Sequence, residues 1–242
     1  MGQLLPHGGA SSGGIPFGRT KQGRSRECRL TTARKRILRL RSLSQLQLRY
    51  VLAELVTYRG RPAVRLVESG RNPSDDQAVA IPSSVALRDG VIETSLAGGP
   101  RLDAPQDARG FVGIAFRVQP DASKFECLFL RPTNSRSDDQ LRRNHSTQYM
   151  SHPDYPWFRL RSEQPGMYES YVDLEPGAWT NIKIVVSGTR ALLYVNRARQ
   201  PCLVVNDLKL GSAVGKVGFW IGGGTEAYFS TRLAIQQTNG VD

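Results

Sequence analysis

Short apolar segments separated by tight turns run through most of this chain, and they restrict the folds that it can adopt. From residue 45 onward, segments of five to nine residues recur at a spacing near ten. Turn dipeptides such as Asp89-Gly90 and Pro176-Gly177 separate them, and no segment has the period of a convincing amphipathic helix. This pattern predicts an all-β fold, either an antiparallel sandwich or a barrel.

Individual segments allow more specific predictions. Residues 110–118 and 124–131 flank a short polar turn and carry apolar side chains on both faces, so we expect a hairpin in the middle of the fold. Residues 45–56 alternate Leu46, Leu48, Tyr50 and Leu52, which predicts one strand with these side chains on a single face. The polar stretch 132–144 predicts a long loop, and residues 156–161 are predicted to form a short strand.

The positive charge of the chain is concentrated at its amino terminus. The formal net charge is +12, but the first 50 residues hold eleven Lys and Arg against the single acid Glu27. The remaining 192 residues carry 22 basic and 20 acidic side chains. We therefore predict a disordered basic tail over residues 1–44, followed by one β-sandwich domain over 45–242. No aromatic residues alternate with the basic ones, so a nucleic-acid partner is not expected.

Several other classes of protein are disfavoured. The three cysteines are too few and too scattered for a disulfide framework or a zinc site. No run approaches the roughly 20 apolar residues of a membrane span, and no signal-peptide core is visible. His145 and His152 have no metal-ligand spacing. We predict no metal site and no cofactor from the residues themselves, and the sequence does not indicate an oligomeric state.

The last third of the chain carries a series of linked motifs. These are W-x-x-I-K-I-x-V-x-G at residues 179–188, L-Y-V-N at 193–196, G-x-V-G-F-W at 215–220 and A-Y-F at 227–229. Together with the central hairpin they resemble the concanavalin A-like, laminin G-like domains, and more narrowly the 3-keto-disaccharide hydrolase-type domains. The resemblance covers about residues 45–236 and implies a two-sheet antiparallel jelly roll.

The functional implications of this resemblance are broader. The superfamily includes lectins, glycan hydrolases and adhesion modules, so a carbohydrate ligand is the first expectation but an activity does not follow from the fold. Calcium is compatible with the resemblance, although no D-x-D-x-D loop is present. Domains of this fold usually act outside the cytoplasm, and the compartment of this protein is left open.

A polar and aromatic segment at residues 131–161 is the candidate ligand site. Planar donors and acceptors bind paired sugar hydroxyls, and aromatic faces pack against the C–H side of a sugar ring. Residues 145–151 are polar on both faces of a predicted strand, so at least one face is expected to line a cleft. The alternative is a polar rim without a ligand. The predicted ligand-binding residues are Arg131, Asn134, Asn144, Gln148, Tyr149, His152, Trp157 and Arg159.

A catalytic role is a second hypothesis for the same segment. The resemblance to a keto-disaccharide hydrolase suggests a carboxylate with a histidine partner, and Glu126, His145 and Glu169 are the candidates. The E-x-D-x-x-E motif of related β-glucanases is absent. Three readings therefore stay open: a carbohydrate-binding domain, a glycan-processing hydrolase, and an interaction module without a sugar site.

Overall fold

Two antiparallel sheets account for most of the residues that the structure, a computed structural model, describes: 35–70, 76–106 and 108–238. In chain order the strands are β1 (Lys35–Arg39), β2 (Leu46–Arg49), β3 (Val51–Tyr58), β4 (Arg61–Glu68), β5 (Val79–Pro82), β6 (Ala86–Leu87), β7 (Gly90–Pro100), β8 (Val112–Val118), β9 (Phe125–Leu130), β10 (Thr147–His152), β11 (Glu169–Ser170), β12 (Thr180–Ser187), β13 (Arg190–Val195), β14 (Leu203–Val205), β15 (Gly215–Ile221), β16 (Thr225–Ser230) and β17 (Arg232–Gln237). The predicted all-β sandwich is confirmed.

The sheets are built mainly from strands that are distant in sequence. The first follows the order β14-β13-β12-β7-β16-β4-β3, and β17 joins β1 to β7. The second follows the order β11-β10-β9-β8-β15-β5-β2, with β6 paired to β15. The predicted hairpin of β8 and β9 is confirmed and lies in the middle of the second sheet, as its apolar residues on both faces indicate.

The two faces of the second sheet bury different apolar clusters. Leu128 and Leu130 of β9 belong to the main core, which also contains side chains of the first sheet and therefore lies between the sheets. Phe125, Cys127 and Phe129 alternate with them and belong to a second cluster. Because successive side chains of a strand point to opposite faces, this second cluster lies on the outer face of the second sheet.

Three short α-helices interrupt the β structure: α1 (Pro132–Ser135), α2 (Gln140–Asn144) and α3 (Trp157–Glu163). The loop predicted over 132–144 and the strand predicted over 156–161 are therefore wrong. The Asp139 side chain starts α2 by accepting hydrogen bonds from the backbone N–H groups of Leu141 and Arg142. In α3 only Leu160 is buried, so the segment lacked a periodicity that sequence inspection could detect.

The predicted strand over 45–56 is divided at Tyr50. A 3-10 helix, Leu43–Gln45, leads into β2 in the second sheet, and β3 lies in the first. Tyr50 has a left-handed backbone with φ of 55°, which ends the alternation. Leu46 is buried whereas Leu48 and Leu52 are exposed, so these side chains do not share one buried face.

The described fold also begins earlier than predicted. The expected tail boundary at residue 44 is corrected, because β1 pairs with β17 along its whole length and Leu40 is buried. The charged side chains of β1 led to its assignment to the disordered tail. Charged residues are also common on sheet edges, where they oppose aggregation. Residues 1–34 of the predicted tail lie outside the described residues. In the described part of the chain, no helix is long and apolar enough to cross a bilayer.

Candidate functional site

A cleft of about 1020 Å³ lies at one end of the outer face of the second sheet. It is lined by Glu68, Asp76, Arg101, Pro105, Ala108, Arg109, Phe111, Arg131, Asn134, Asp139, Leu141, Arg142, His145, Trp157, Arg161 and the three glycines at 222–224. These residues come from the end of β4 and the β4–β5 connection, the β7–β8 connection, the end of β9, the three α-helices with their flanking residues and the β15–β16 turn. We call the space they enclose the arginine cleft.

The register of the central strands brings the walls of the arginine cleft together. Val112 at the start of β8 pairs with the last residues of both β9 and β15. Phe111, Arg131 and Gly222 therefore lie side by side at one end of the sheet. A Cβ on Gly222 would lie 2.9 Å from Cβ of Phe111, so only glycine allows this approach. The backbone N–H of Gly222 donates to the carbonyl of Phe111 at 3.0 Å.

Arg131 forms the floor of the arginine cleft. Only 2% of the residue is exposed, and its guanidinium carbon lies 4.8 Å from the ring centroids of Phe111 and Trp157 and 5.2 Å from that of Phe129. Its Nε and Nη2 atoms have no hydrogen-bond acceptor among the described residues. Burial lowers the pKa of this guanidinium from 12.5 to about 9, and the nearby Arg161 acts in the same direction. The side chain is thus a charged group in an apolar, aromatic surrounding.

His145 and Glu169 lie together at the edge of the arginine cleft. Nε2 of His145 is 3.1 Å from Oε1 of Glu169. The same carboxylate accepts one bifurcated hydrogen bond from Nε of Arg161 and one of 2.7 Å from its Nη2. Burial lowers the pKa of His145, and Arg161 lowers it further. Both effects favour the neutral form of the imidazole.

Asn134 connects the short helices to the arginine cleft. Its side-chain oxygen accepts hydrogen bonds from Nε of Arg142 at 3.2 Å and from a terminal nitrogen of Arg109 at 3.4 Å. Its side-chain NH2 donates to the carbonyl of His145 at 3.1 Å. Asn134 is itself buried, so it fixes the positions of two arginines whose side chains line the cleft.

The structure brings five of the predicted site residues to one place. Arg131, Asn134, His145 and Trp157 line the arginine cleft, and Glu169 contacts His145. The guanidinium carbons of Arg131 and Arg161 lie 4.8 and 4.9 Å from the ring centroid of Trp157, so both cations pack against this indole.

Glu126 and Tyr149 lie elsewhere, on the face of the second sheet that points between the two sheets. Glu126 is fully buried and accepts hydrogen bonds from the Tyr149 hydroxyl at 2.6 Å and from the backbone N–H of Leu210 at 2.7 Å. Burial raises the pKa of Glu126, and these hydrogen bonds oppose the rise. Glu126, predicted as a catalytic candidate, therefore does not line the arginine cleft, because the alternation of β9 directs it away from Arg131.

The remaining predicted site residues have structural partners. Gln148 is buried and donates to the carbonyls of Tyr149 and Tyr168, and His152 is buried and stacks on Phe125 with ring centroids 4.9 Å apart. Asn144 accepts from Gln140, and Arg159 pairs with Glu163 one helical turn away. All of β10 is buried, and of the predicted strand 145–151 only His145 lines the arginine cleft.

Sequence reasoning missed the far wall of the arginine cleft. Arg101, Arg109 and Phe111 belong to the β7–β8 connection, which carried no motif that pointed to a site. The three glycines at 222–224 form the turn between β15 and β16. The sequence contains both parts of this wall, the glycine turn at 222–224 and Phe111. They become neighbours only because β8 pairs with β15, and the sequence does not show that pairing.

The described residues contain no cluster of three His, Cys, Asp or Glu side chains arranged to hold a metal ion. Two of the carboxylates that line the arginine cleft have protein partners: Asp139 caps α2, and Glu68 accepts from the backbone N–H of Gly224 at 3.3 Å. Both cysteines in the described part of the chain, Cys127 and Cys202, are free.

Solved structures with a similar fold were found at low sequence identity. The carbohydrate-binding module CBM66 from Bacillus subtilis gives a TM-score of 0.53 at 12% identity, over 78% of this chain and 93% of that chain. A Bacillus subtilis protein of unknown function with a galectin-like fold gives 0.52 at 12% identity, over 84% of this chain and 94% of that chain. This chain has a concanavalin A-like jelly-roll fold.

Two further comparisons complete this picture. The exoplasmic/lumenal domain of VIP36, in a form bound to Ca²⁺ and Man, gives a TM-score of 0.50 at 10% identity, over 82% of this chain and 84% of that chain. No family model and no curated protein matches the sequence. The narrower resemblance to 3-keto-disaccharide hydrolase-type domains therefore stays a prediction.

Proposed function

We propose that this protein is a carbohydrate-recognising β-sandwich domain and that the arginine cleft is its binding site. The observation that carries the proposal is the convergence of Arg131, Asn134, Arg142 and His145 on one cleft of about 1020 Å³. This volume is at the upper end of ordinary ligand pockets. Guanidinium, amide and imidazole groups supply the planar donors and acceptors that bind several hydroxyls at once.

An apolar side chain at the rim of the arginine cleft supports a sugar ligand. Leu141 on α2 is 66% exposed although it lines the cleft. The C–H face of a sugar ring is apolar, and contact with it would remove this leucine from water. Solved proteins of the same fold include one named as a carbohydrate-binding module and one bound to Man, and these names support the class of ligand without identifying the sugar.

A glycan array followed by calorimetric titration of the full chain tests the proposal. Leu141→Ser and Arg142→Gln are expected to weaken any sugar that binds, by about 3- to 10-fold each, as for the loss of one contact of about 1 kcal/mol. Leu52→Ser is the matched control, because Leu52 is 60% exposed on β3 in the other sheet. Equal weakening by Leu52→Ser, or no binding to any glycan, contradicts the assignment.

A second candidate function, glycan processing, rests on the contact between His145 and Glu169. A neutral imidazole held by a carboxylate is the arrangement of a general base, and His145 lines the arginine cleft. Product release from a panel of oligosaccharides, including keto-disaccharides, is the measurement. His145→Gln and Glu169→Gln should abolish turnover; turnover that persists in both variants rules these residues out.

A further inference from the structure

The charges around the arginine cleft are unequal. Five arginines and three carboxylates line it. Arg161 is paired with Glu169, and Arg101 is paired with Asp103. Asp139 is engaged by the N-terminus of α2. The lining as a whole therefore carries an excess of positive charge.

Two of the five arginines have no carboxylate partner among the described residues. Arg142 donates to the side-chain oxygen of Asn134, a neutral amide. Arg131 forms no ion pair, and its Nε and Nη2 atoms have no acceptor among the described residues. A buried charge without a hydrogen-bonded partner is strongly unfavourable. Its presence beside an open cleft calls for an explanation, and a bound ligand that accepts from the guanidinium is one.

The aromatic rings of the arginine cleft are already used by guanidinium groups. Arg131 lies over Phe111 and Trp157, and Arg161 also lies over Trp157. These rings place two cations at the floor and wall of the cleft. An arrangement that stacks guanidinium groups and leaves one of them unpaired favours a ligand with negative charge over one bound through ring stacking alone.

We propose that the ligand of the arginine cleft is an acidic sugar whose carboxylate or sulfate group binds against Arg131 and Arg142. This inference rests on the proposed carbohydrate function and names the class of sugar. The anion enters from the solvent side of the cleft and completes the charge of the buried guanidinium. Asn134 holds Arg142 at the same edge, and His145 and Leu141 contact the ring that carries the anion.

Calorimetric titration of the full chain with matched probes tests the inference. The probes are a panel of polyuronate and sulfated oligosaccharides, the carboxyl-reduced or desulfated oligosaccharide of the same backbone, and inorganic sulfate. We expect the acidic member of one pair to bind at least 10-fold more tightly than its neutral partner, with an affinity that falls as salt is raised. Arg131→Met is expected to weaken the acidic sugar by about 10- to 100-fold, as for the loss of a charged hydrogen bond.

Two further variants keep the test independent of folding. Arg131→Lys retains the charge but not the planar donor group, and about 10-fold weaker binding is expected. Arg190→Met removes an exposed arginine from the start of β13 in the other sheet and should leave binding unchanged. The Arg131 variants are folded if their circular dichroism spectra are unaltered and their midpoints of thermal unfolding are at least as high as that of the unsubstituted protein.

The outcomes separate this inference from the proposed function. Tighter binding of acidic sugars that depends on Arg131 supports both. Equal affinity for acidic and neutral sugars, unaffected by Arg131→Met, overturns the acidic-sugar inference and leaves carbohydrate recognition standing. Binding of inorganic sulfate through Arg131 with no binding of any sugar overturns both, because the cleft would then be an anion site that does not recognise carbohydrate. No binding of any probe also overturns both.

Discussion

Replacing the buried guanidinium with an apolar side chain is expected to stabilise the protein in the absence of ligand. Arg131→Met removes the charge and the guanidinium contacts with Phe111, Phe129 and Trp157, and leaves an unbranched apolar side chain in their place. Proteins in which buried ionic groups are replaced by apolar residues of similar volume often gain stability. The expected sign is therefore opposite to that of most substitutions in a buried position.

The magnitude follows from the surroundings of Arg131. Burial lowers its pKa from 12.5 to about 9, so the side chain is still charged at pH 7. At about 1.4 kcal/mol for each tenfold change in the protonation equilibrium, holding this charge in the fold costs about 5 kcal/mol relative to water. Three ring contacts return about 1 kcal/mol each, which leaves about 2 kcal/mol. Arg131→Met is expected to raise the free energy of unfolding by that amount.

Urea unfolding at pH 7.5, followed by fluorescence and circular dichroism, measures this change. The dependence on urea concentration should stay constant while the midpoint rises, and the midpoint of thermal unfolding should rise by about 4–8 °C for a domain of this size. Arg190→Met is the control, because an exposed arginine lacks this penalty and its removal should change the midpoint little. A fall of 1 kcal/mol or more in Arg131→Met would refute the reasoning, because it would mean that the guanidinium is well partnered in the free protein.

Three other perturbations test separate parts of the structure. Burial lowers the pKa of His152 below its usual 6.5; its contribution to stability is therefore present above pH 6.5 and lost as the pH falls through the lower folded value. The unfolding midpoint should drop between pH 7 and pH 5. His152→Phe keeps the stack on Phe125 and should reduce that drop. An equal drop in this variant would show that His152 does not cause the pH dependence. Tyr149→Phe removes the hydroxyl that donates to Glu126 at 2.6 Å and should cost about 1–3 kcal/mol of unfolding free energy, whereas a loss below 0.5 kcal/mol, on the order of an ordinary surface substitution, means that the carboxyl finds another donor. Deleting residues 1–40 removes β1 and the buried Leu40 and should lower the thermal midpoint, whereas deleting 1–34 should not; equal midpoints contradict the placement of β1.

The fold was predictable because its information is local and repeated. In β8 and β9, apolar residues on both faces identify a central strand pair without reference to the rest of the sequence. The failures came where a single backbone conformation changes the outcome. Tyr50 has a positive φ that no residue preference predicts, and it divides one apparent strand between two sheets. The charged β1 is stable only because β17 lies beside it.

The candidate site was predictable only for the part that is continuous in sequence. Arg131, Asn134, His145 and Trp157 lie within thirty-odd residues of polar and aromatic sequence, and all four line the arginine cleft. The sequence did not reveal which face of the sheet each side chain lies on. Glu126 lies in β9 and Arg131 directly follows it. Because odd and even positions of a strand face opposite sides of the sheet, the two side chains point in opposite directions. Apolarity does not distinguish the two faces of β9, because the outer face also buries an apolar cluster.

The pairing of β1 with β17 places both ends of the described fold at one edge, where Lys35 lies opposite Gln236. A domain whose ends are neighbours can be inserted into a loop of another protein without stretching either connection. It can also be circularly permuted by joining those ends and opening the exposed turn at Pro165-Gly166. The arginine cleft is built from connections at the end of the other sheet, so such a graft would carry this proposed site intact into the new host.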